Sequence, residues 1–414
     1  MIDSCSLEKS PLLTVDVALQ RIHAAIKAVN ESETFTLLNA LGRVLAEPIY
    51  SPIAIPQNKN SAMDGYAFAS SDVVSEQAFT LTVVGISYAG KPFTGSLQAG
   101  QCVRIFTGAV LPEQADSVIM QEHIQREVQQ IHFPAHTKIQ KNVRGIGEDV
   151  QQGSLLCASS KKLTAVDLAL LATAGINTVR VIRTLRIAIF STGDELIPLG
   201  QPLATGQIYD SNRYLLLGLL NNPCYQVTDL GVLADNKQTI SDNFTAAATN
   251  HDVIISTGGA SVGDADYIQE VLTECGQVNF WKIAIKPGKP LTFGKLGACY
   301  FFGLPGNPVA VQVTFQKILV PALQQLSGTV ITKPLQLTAT CTSPLKKSVG
   351  RQEFQRGILT QNEIGEFFVA TSGQQGSNIL SALSLANCYI VLPNENEGVA
   401  AGDKVIVEPF SEFL

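Results

Sequence analysis

From Arg186 to Leu326 the chain alternates short apolar runs with segments of helical spacing, and this alternation constrains the fold more than any other feature. Residues 186–190 and 252–256 have the length and apolar content of buried strands, and 225–232 reads as a strand as well. Residues 208–221, 236–248 and 266–275 read as helices, further strands are expected at 278–285, 291–293 and 299–302, and a long helix closes the run at 309–326. Such alternation predicts a doubly wound, mainly parallel sheet with helices on both faces. Ligands in that architecture bind beyond the carboxyl ends of the strands.

The flanking sequence has another texture. Val15, Leu19, Ile22, Ile26 and Val29 follow a helical period, with Thr14 placed to cap it. From Pro48 onward, short β-rich runs are separated by turn residues, and the tail after Lys333 is β-rich again. The expected class is therefore multidomain α/β. Its parts are a discontinuous helical connecting domain (7–44 and 151–183), an inserted β-rich domain (45–150), the central α/β domain (184–331) and a C-terminal small β domain (332–414). A chain of 414 residues is too long for one core, which fits this division.

Bulk properties narrow the function. A formal charge of −6 argues against a general nucleic-acid binder. Eight cysteines are scattered singly, with no Cys-x-x-Cys pair, so neither a zinc ribbon nor a disulfide framework is indicated. No secretory signal and no membrane-spanning apolar run is visible, and a cytoplasmic location is expected. Of the five histidines, His132 and His136 are interrupted by Pro134, which makes a zinc-hydrolase pair a weak reading, and no phosphate-binding Gly-x-x-x-x-Gly-Lys-Ser/Thr motif occurs.

Several loops at expected strand ends carry chemistry. Ser256-Thr-Gly-Gly-Ala-Ser-Val-Gly-Asp-Ala-Asp-Tyr267 follows an apolar strand, and a small-residue turn there aims main-chain N–H groups at an anion. Ser256, Gly258, Gly259 and Ser261 are its candidate binding residues. Asp264 and Asp266 would repel a bare phosphate, so a Mg²⁺ ion bridging them to it is expected. Glu195, just past the first strand, reads either as a ligand for a hydroxyl, an amino group or a hydrated metal, or as a turn acid capping a helix.

Lys282, Lys286 and Lys289 form a cationic cluster in a Pro/Gly-stiffened turn suited to a small oxyanion, unless they are ordinary surface lysines. Gly303-Leu-Pro-Gly-Asn-Pro308 opens the last helix, with Asn307 as its N-cap and Pro308 in its first turn. Pro305, Asn307 and Pro308 then offer a rigid anion cradle, or simply a well-made helix start. In the β-rich insertion, Asp64, Thr107 and Asp149 sit in turns that singly read as hairpin connections.

Taken in this order, Ser61–Tyr66, Ile105–Ala109, Gly147–Asp149, Ser191–Leu196, Ser256–Tyr267, Phe280–Pro290 and Leu304–Pro308 resemble the molybdopterin molybdenumtransferases, the family that includes the E domain of gephyrin. The resemblance runs from about residue 10 to 410. It implies a homodimer of four-domain chains with a molybdopterin-binding α/β domain. The implied reaction inserts molybdate into adenylylated molybdopterin and releases AMP with Mg²⁺ present, leaving molybdenum cofactor. It places Glu195, Asp235 and Asp266 in the catalytic site, with Asp235 and Asp266 as metal candidates. It matches Asp64, Thr107 and Asp149 to the β domain's functional positions, Asp64 and Asp149 as catalytic and Thr107 as substrate-binding, which look toward the partner subunit's α/β domain.

Molybdate is a tetrahedral dianion, for which Lys282, Lys286, Lys289, Arg351 and Ser377, with Arg356 nearby, are the candidate binders. Asn236 stands where many relatives have a second acid after Asp235, and Ala260 replaces a commoner valine. A molybdopterin adenylyltransferase and a gephyrin-like scaffold are the alternative readings. Contacts with the adenylyltransferase and with cofactor-accepting molybdoenzymes are expected; nucleic-acid and membrane partners are not.

Overall fold

The computed structural model describes residues 12–74, 76–234, 236–258 and 267–410. Asp235, Gly259, Ser261, Asp264 and Asp266 lie outside the described residues.

The alternating region folds into a six-stranded sheet ordered Tyr225–Leu233, Leu185–Thr192, Val253–Thr257, Cys299–Leu304, Pro290–Leu296 and Gln277–Lys282. The first four strands run parallel, Pro290–Leu296 runs antiparallel to them, and Gln277–Lys282 pairs antiparallel with Pro290–Leu296. Alternate side chains feed two cores. Ile187, Ile189, Val253 and Ile255 pack with helices Val15–Ala25 and Ser211–Leu219 and the helical run 308–326. Ala188, Phe190, Ile254 and Phe301 pack with helices Lys237–Asn250 and Tyr267–Cys275. Both faces are thus covered, as the strands' near-continuous apolar sequence requires. The chain leaves Leu185–Thr192 for one neighbour, Tyr225–Leu233, and then crosses to the other, Val253–Thr257. The order of connection therefore reverses between the central strands Leu185–Thr192 and Val253–Thr257, the position beyond whose carboxyl ends ligands bind in sheets of this kind.

Element boundaries differ from the sequence expectation where a cap intervenes. The helix expected at 208–221 begins only at Ser211, because Asp210 accepts from the Arg213 N–H (3.1 Å) and Ile208–Tyr209 pairs instead with Leu196–Ile197. The closing helix over 308–326 contains a π turn at Phe315–Leu319.

The connecting region is not the helical piece expected from 7–44 and 151–183. Strand Ser32–Thr36 pairs with Thr178–Ile182, where Val179 and Val181 alternate inward beside Phe35. Its helix, Ala165–Thr173, is fixed by a capping box between Thr164 and Asp167. Helix Val15–Ala25 sends Ala18, Ile22 and Ile26 into the α/β core rather than into this unit.

The insertion carries a six-stranded mixed sheet, and the C-terminal region a small closed barrel. In the barrel, Gln352–Gln361 pairs with both Phe367–Thr371 and Cys388–Leu392, and Leu337–Cys341 and Lys404–Pro409 complete the circuit. A short strand of the lysine loop, Ile285–Lys286, adds to Gln352–Gln361 in parallel, so the α/β unit and the barrel share hydrogen bonds. Among the described residues no helix is long and apolar enough to cross a membrane. Cys102, Cys157, Cys224, Cys299, Cys341 and Cys388 are buried and unpaired. Burial pushes the Cys102, Cys299 and Cys388 thiols up to about 12, which keeps them protonated and inert.

Candidate active site

A cavity of about 560 Å³ lies beyond the ends of strands Val253–Thr257 and Cys299–Leu304, against the barrel. The α/β unit lines it with Gly258, the 286–290 turn and the Pro305–Asn307 turn, and the barrel adds Arg351 and Gln375–Ser377. Each loop is held in place by identifiable contacts. Gly258 adopts φ +83°, and a Cβ there would stand 2.6 Å from the Thr192 carbonyl oxygen, so only glycine lets this turn close over the neighbouring strand. Gly288 has φ +120° and lies against the Thr314 hydroxyl in the same way.

Asn212 donates to the Gly306 carbonyl (2.6 Å), fixing the Pro305–Pro308 turn from helix Ser211–Leu219. Arg356 is fully buried and donates to the carbonyls of Gln374, Gln375 and Gly376 at 2.7–3.2 Å. Its guanidinium thus shapes the loop that presents Ser377 instead of facing the cavity, a correction to the oxyanion role considered for it. Burial lowers its pKa, and hydrogen bonds to three carbonyls compensate the buried charge.

The cations differ in their environment. Lys286 donates to Glu353 (2.9 Å), and the lysine side chain is 44% exposed against 4% for the glutamate. The other Glu353 oxygen accepts from Gln355 (3.1 Å). Lys286 is therefore half of an ion pair anchored in the barrel, whereas Lys289 and Arg351 also line the cavity. No carboxylate stands among its described lining residues.

Asn307 occupies the N-cap position, yet its side chain makes no cap hydrogen bond and lines the cavity. Pro308 has no N–H, and the Val309 N–H donates to the Ser377 carbonyl (3.2 Å). The helix start therefore offers fewer free donors than its sequence promised, and the polar groups on the cavity wall are mainly side chains.

Other predicted residues are placed elsewhere. Lys282 is not a lining residue; its carbonyl accepts from the Leu13 N–H (2.9 Å). Ser256 is wholly buried within its strand, with no partner for its hydroxyl among the described residues. Glu195 is exposed at the end of strand Leu185–Thr192, and its carboxylate folds back over Gly193, where a Cβ would meet it at 2.6 Å. No helix follows directly, so the capping alternative falls away.

The insertion holds a second polar group. One Asp64 oxygen accepts from both the Thr107 N–H and the Thr107 hydroxyl, each at 2.8 Å. These two bonds, the N–H first, hold the carboxyl below its ordinary range, with the Arg104 charge adding to them. The Asp149 N–H donates to the Ile55 carbonyl (3.0 Å), and its side chain is exposed. None of these three residues lines the cavity of the same chain. Sequence reading missed Glu353, Gln375 and Asn212. A glutamate in the β-patterned run Arg351–Gln355 was the available signal for Glu353; nothing local marked the other two.

An α/β sheet with a cationic cavity beyond the carboxyl ends of two of its parallel strands, closed on one side by a β-barrel, defines a multidomain protein with a cavity suited to an anionic small molecule. Three family models cover most of the chain: "MoeA N-terminal region (domain I and II)" matches 13–175, "Probable molybdopterin binding domain" matches 188–325, and "MoeA C-terminal region (domain IV)" matches 338–410. A molybdopterin molybdenumtransferase of Haemophilus influenzae is 45% identical over 405 residues, covering 97% of this chain and 100% of the relative. Gephyrin of Dictyostelium discoideum is 30% identical, over 91% of this chain and 59% of that protein. A solved molybdopterin biosynthesis moeA protein from Pyrococcus horikoshii has a TM-score of 0.83 at 28% identity, covering 96% of this chain and 100% of that one. The chain belongs to the molybdopterin molybdenumtransferase family.

Proposed function

We propose that this chain inserts molybdate into adenylylated molybdopterin and releases AMP, giving molybdenum cofactor. The observation that carries the reading is the cavity with Lys286, Lys289 and Arg351 on its wall, Asn307 and Ser377 between them, and no described carboxylate among its lining residues. A tetrahedral dianion is matched there by ammonium and guanidinium donors at several angles. Ser377 and Asn307 add uncharged donors that orient it. The barrel roof limits water around the anion and so strengthens each contact. Pterin and phosphate groups then extend toward Gly258.

Mg²⁺ would neutralise the phosphoanhydride that is broken when AMP leaves. Among the described residues no group of three or more His, Cys, Asp or Glu could hold a metal. Glu195 is a hard-oxygen donor at the switch point, the type Mg²⁺ takes. Asp235 and Asp266 remain its proposed partners. The pre-organised Asp64–Thr107 pair, remote from its own chain's cavity lining, supports a homodimer in which it faces the second subunit's cavity. A cytoplasmic location, and hand-over contacts with the adenylyltransferase and with molybdoenzymes, belong to the same reading.

The test is AMP release from adenylylated molybdopterin with Mg²⁺, with and without molybdate. Release that depends on molybdate and yields active cofactor is expected. AMP loading from ATP would instead indicate an adenylyltransferase, and binding without turnover a scaffold.

A further inference from the structure

Arg351 reaches the cavity wall from a short turn, and one buried ammonium group holds that turn. Lys347 follows the two-stranded ribbon in which Leu345–Lys346 pairs with Gly398–Val399. It is only 9% exposed. Its Nζ donates to the carbonyls of Ser348 (3.2 Å), Asn394 (3.2 Å) and Asn396 (2.9 Å). An ammonium group has three protons to donate, so these carbonyls use all of them. Among the described residues no carboxylate pairs with it. A buried cation satisfied by neutral carbonyls alone is costlier than an apolar side chain of the same length, which points to a task for it.

The turn that Lys347 closes leads directly to Arg351. The Asn394 carbonyl accepts from Lys347 and also from the Gly350 N–H (2.8 Å), so residues 347 and 350 meet on one oxygen. Gly350 has φ +99°, a conformation that favours glycine. On the far side of Arg351, the Gln352 N–H donates to the Ala284 carbonyl (2.9 Å), and Gln352–Glu353 runs parallel to Ile285–Lys286. The main chain at Arg351 is therefore clamped on both sides, by the C-terminal unit before it and by the α/β unit after it. The residue ahead of Lys347 joins the same network. Gln355 donates to the Lys346 carbonyl (2.9 Å) and to Glu353 (3.1 Å), the partner of Lys286.

We propose that Lys347 is a positioning residue for the oxyanion cavity. With its protons committed to carbonyls it touches no ligand; it fixes the 348–350 turn so that Arg351 enters the cavity wall at a set place. A long side chain on a loose turn would lose freedom in both when it met an anion, and the anchor removes part of that cost in advance. The inference rests on the proposed function, in which this cavity takes molybdate, and it names the residue on which the barrel-side cation depends.

The experiment titrates the full chain with molybdate by calorimetry and follows AMP release on the same samples. Lys347→Met keeps an apolar stem and removes the donors. Gly350→Ala strains the turn at φ +99°, where an added Cβ meets nothing within 4 Å, so it disturbs the same turn and leaves Lys347 in place. Each should weaken molybdate on the order of tenfold, with the affinity for adenylylated molybdopterin within about twofold of wild type. In an Arg351→Ala background neither should weaken molybdate further by more than about twofold. A lysine that only stabilises the fold would lower the melting temperature and leave that pattern of affinities unmoved. Wild-type molybdate affinity in Lys347→Met, or in Gly350→Ala should the lysine variant not fold, overturns the positioning role. So does an equal loss with and without Arg351. Lys347-dependent molybdate binding without molybdate-dependent AMP release overturns the proposed reaction alone, and no molybdate binding by wild type overturns both.

Discussion

Lys286 faces the cavity but answers to a buried carboxylate, and this contact fixes what its removal should do. Lys286→Ala leaves Glu353 in the barrel wall with only Gln355 as partner. An orphaned buried charge of this kind costs about 1–3 kcal/mol or more. Denaturant unfolding of the single mutant should show that loss, and adding Glu353→Gln should restore most of it. Activity should not return with stability, because the cavity still lacks an ammonium group. Recovery of both would make Lys286 a structural residue only. Gly258 is decided at the same scale. Gly258→Ala forces a side chain to within 2.6 Å of the Thr192 carbonyl at a φ of +83°. A loss of substrate binding larger than the loss of stability is expected, measured by titration and by thermal melting.

At the scale of elements, strand Val253–Thr257 is anchored at both ends by different chemistry. Its carboxyl end opens into the cavity, and just before its amino end Asp252 receives Arg183 at 2.7 and 2.8 Å, the Arg186 N–H at 2.8 Å and the Arg186 guanidinium. Burial pushes the Asp252 carboxyl up, but the arginine contacts outweigh it and hold the pKa at about 2. A depressed carboxylate contributes stability that is present above its unfolded pKa of about 3.9 and is lost as pH falls toward about 2. Over that window Asp252 should account for about 2 kcal/mol of acid destabilisation. Asp252→Asn should flatten the stability–pH curve between pH 4 and 2 and lower stability at neutral pH; an unchanged curve would contradict this.

Elements of this kind were the most legible from sequence. Long apolar runs such as Leu185–Thr192 and Val253–Thr257 gave the parallel sheet, because a strand buried on both faces needs apolar residues at every position. Short-range punctuation was harder to read. Asp210 looked like one residue inside a helix, yet it caps that helix, and Ile208–Tyr209 became a strand. Phe35, Val179 and Val181 made a two-stranded ribbon across a separation in sequence that no local period reveals. The cavity's two lysines, Lys286 and Lys289, were legible as cations in a stiff turn. Their companions were not, since Glu353, Gln375 and Arg356 act through contacts that exist only once the barrel has closed.

At the scale of the whole molecule, the barrel is tied to the α/β unit by more than the Ile285–Lys286 strand. Lys317, on the π turn of the last α/β helix, pairs with Glu408 of the barrel, and both side chains are buried. The ammonium also lies 4.7 Å from the Phe354 centroid and 5.4 Å from that of Tyr389. Burial pushes the lysine down to about 8. Breaking such a pair costs about 3–5 kcal/mol, whereas replacing both members by neutral groups costs far less. Lys317→Met should therefore loosen the barrel, read as faster amide exchange in Gln352–Gln361, and Lys317→Met with Glu408→Gln should largely reverse it. Equal exchange in wild type and single mutant would mean that the interface is held by apolar packing alone.

The central claim is that the oxyanion is bound where the α/β unit meets the barrel, apart from the pterin. Arg351 is the barrel's cation on that wall, so the most direct measurement is the molybdate concentration dependence of AMP release by Arg351→Ala. Loss of a charge-assisted contact should raise the molybdate KM about ten- to a hundredfold, with the Kd for adenylylated molybdopterin within about twofold of wild type. An unchanged molybdate KM, or an equal loss of both affinities, would contradict the account.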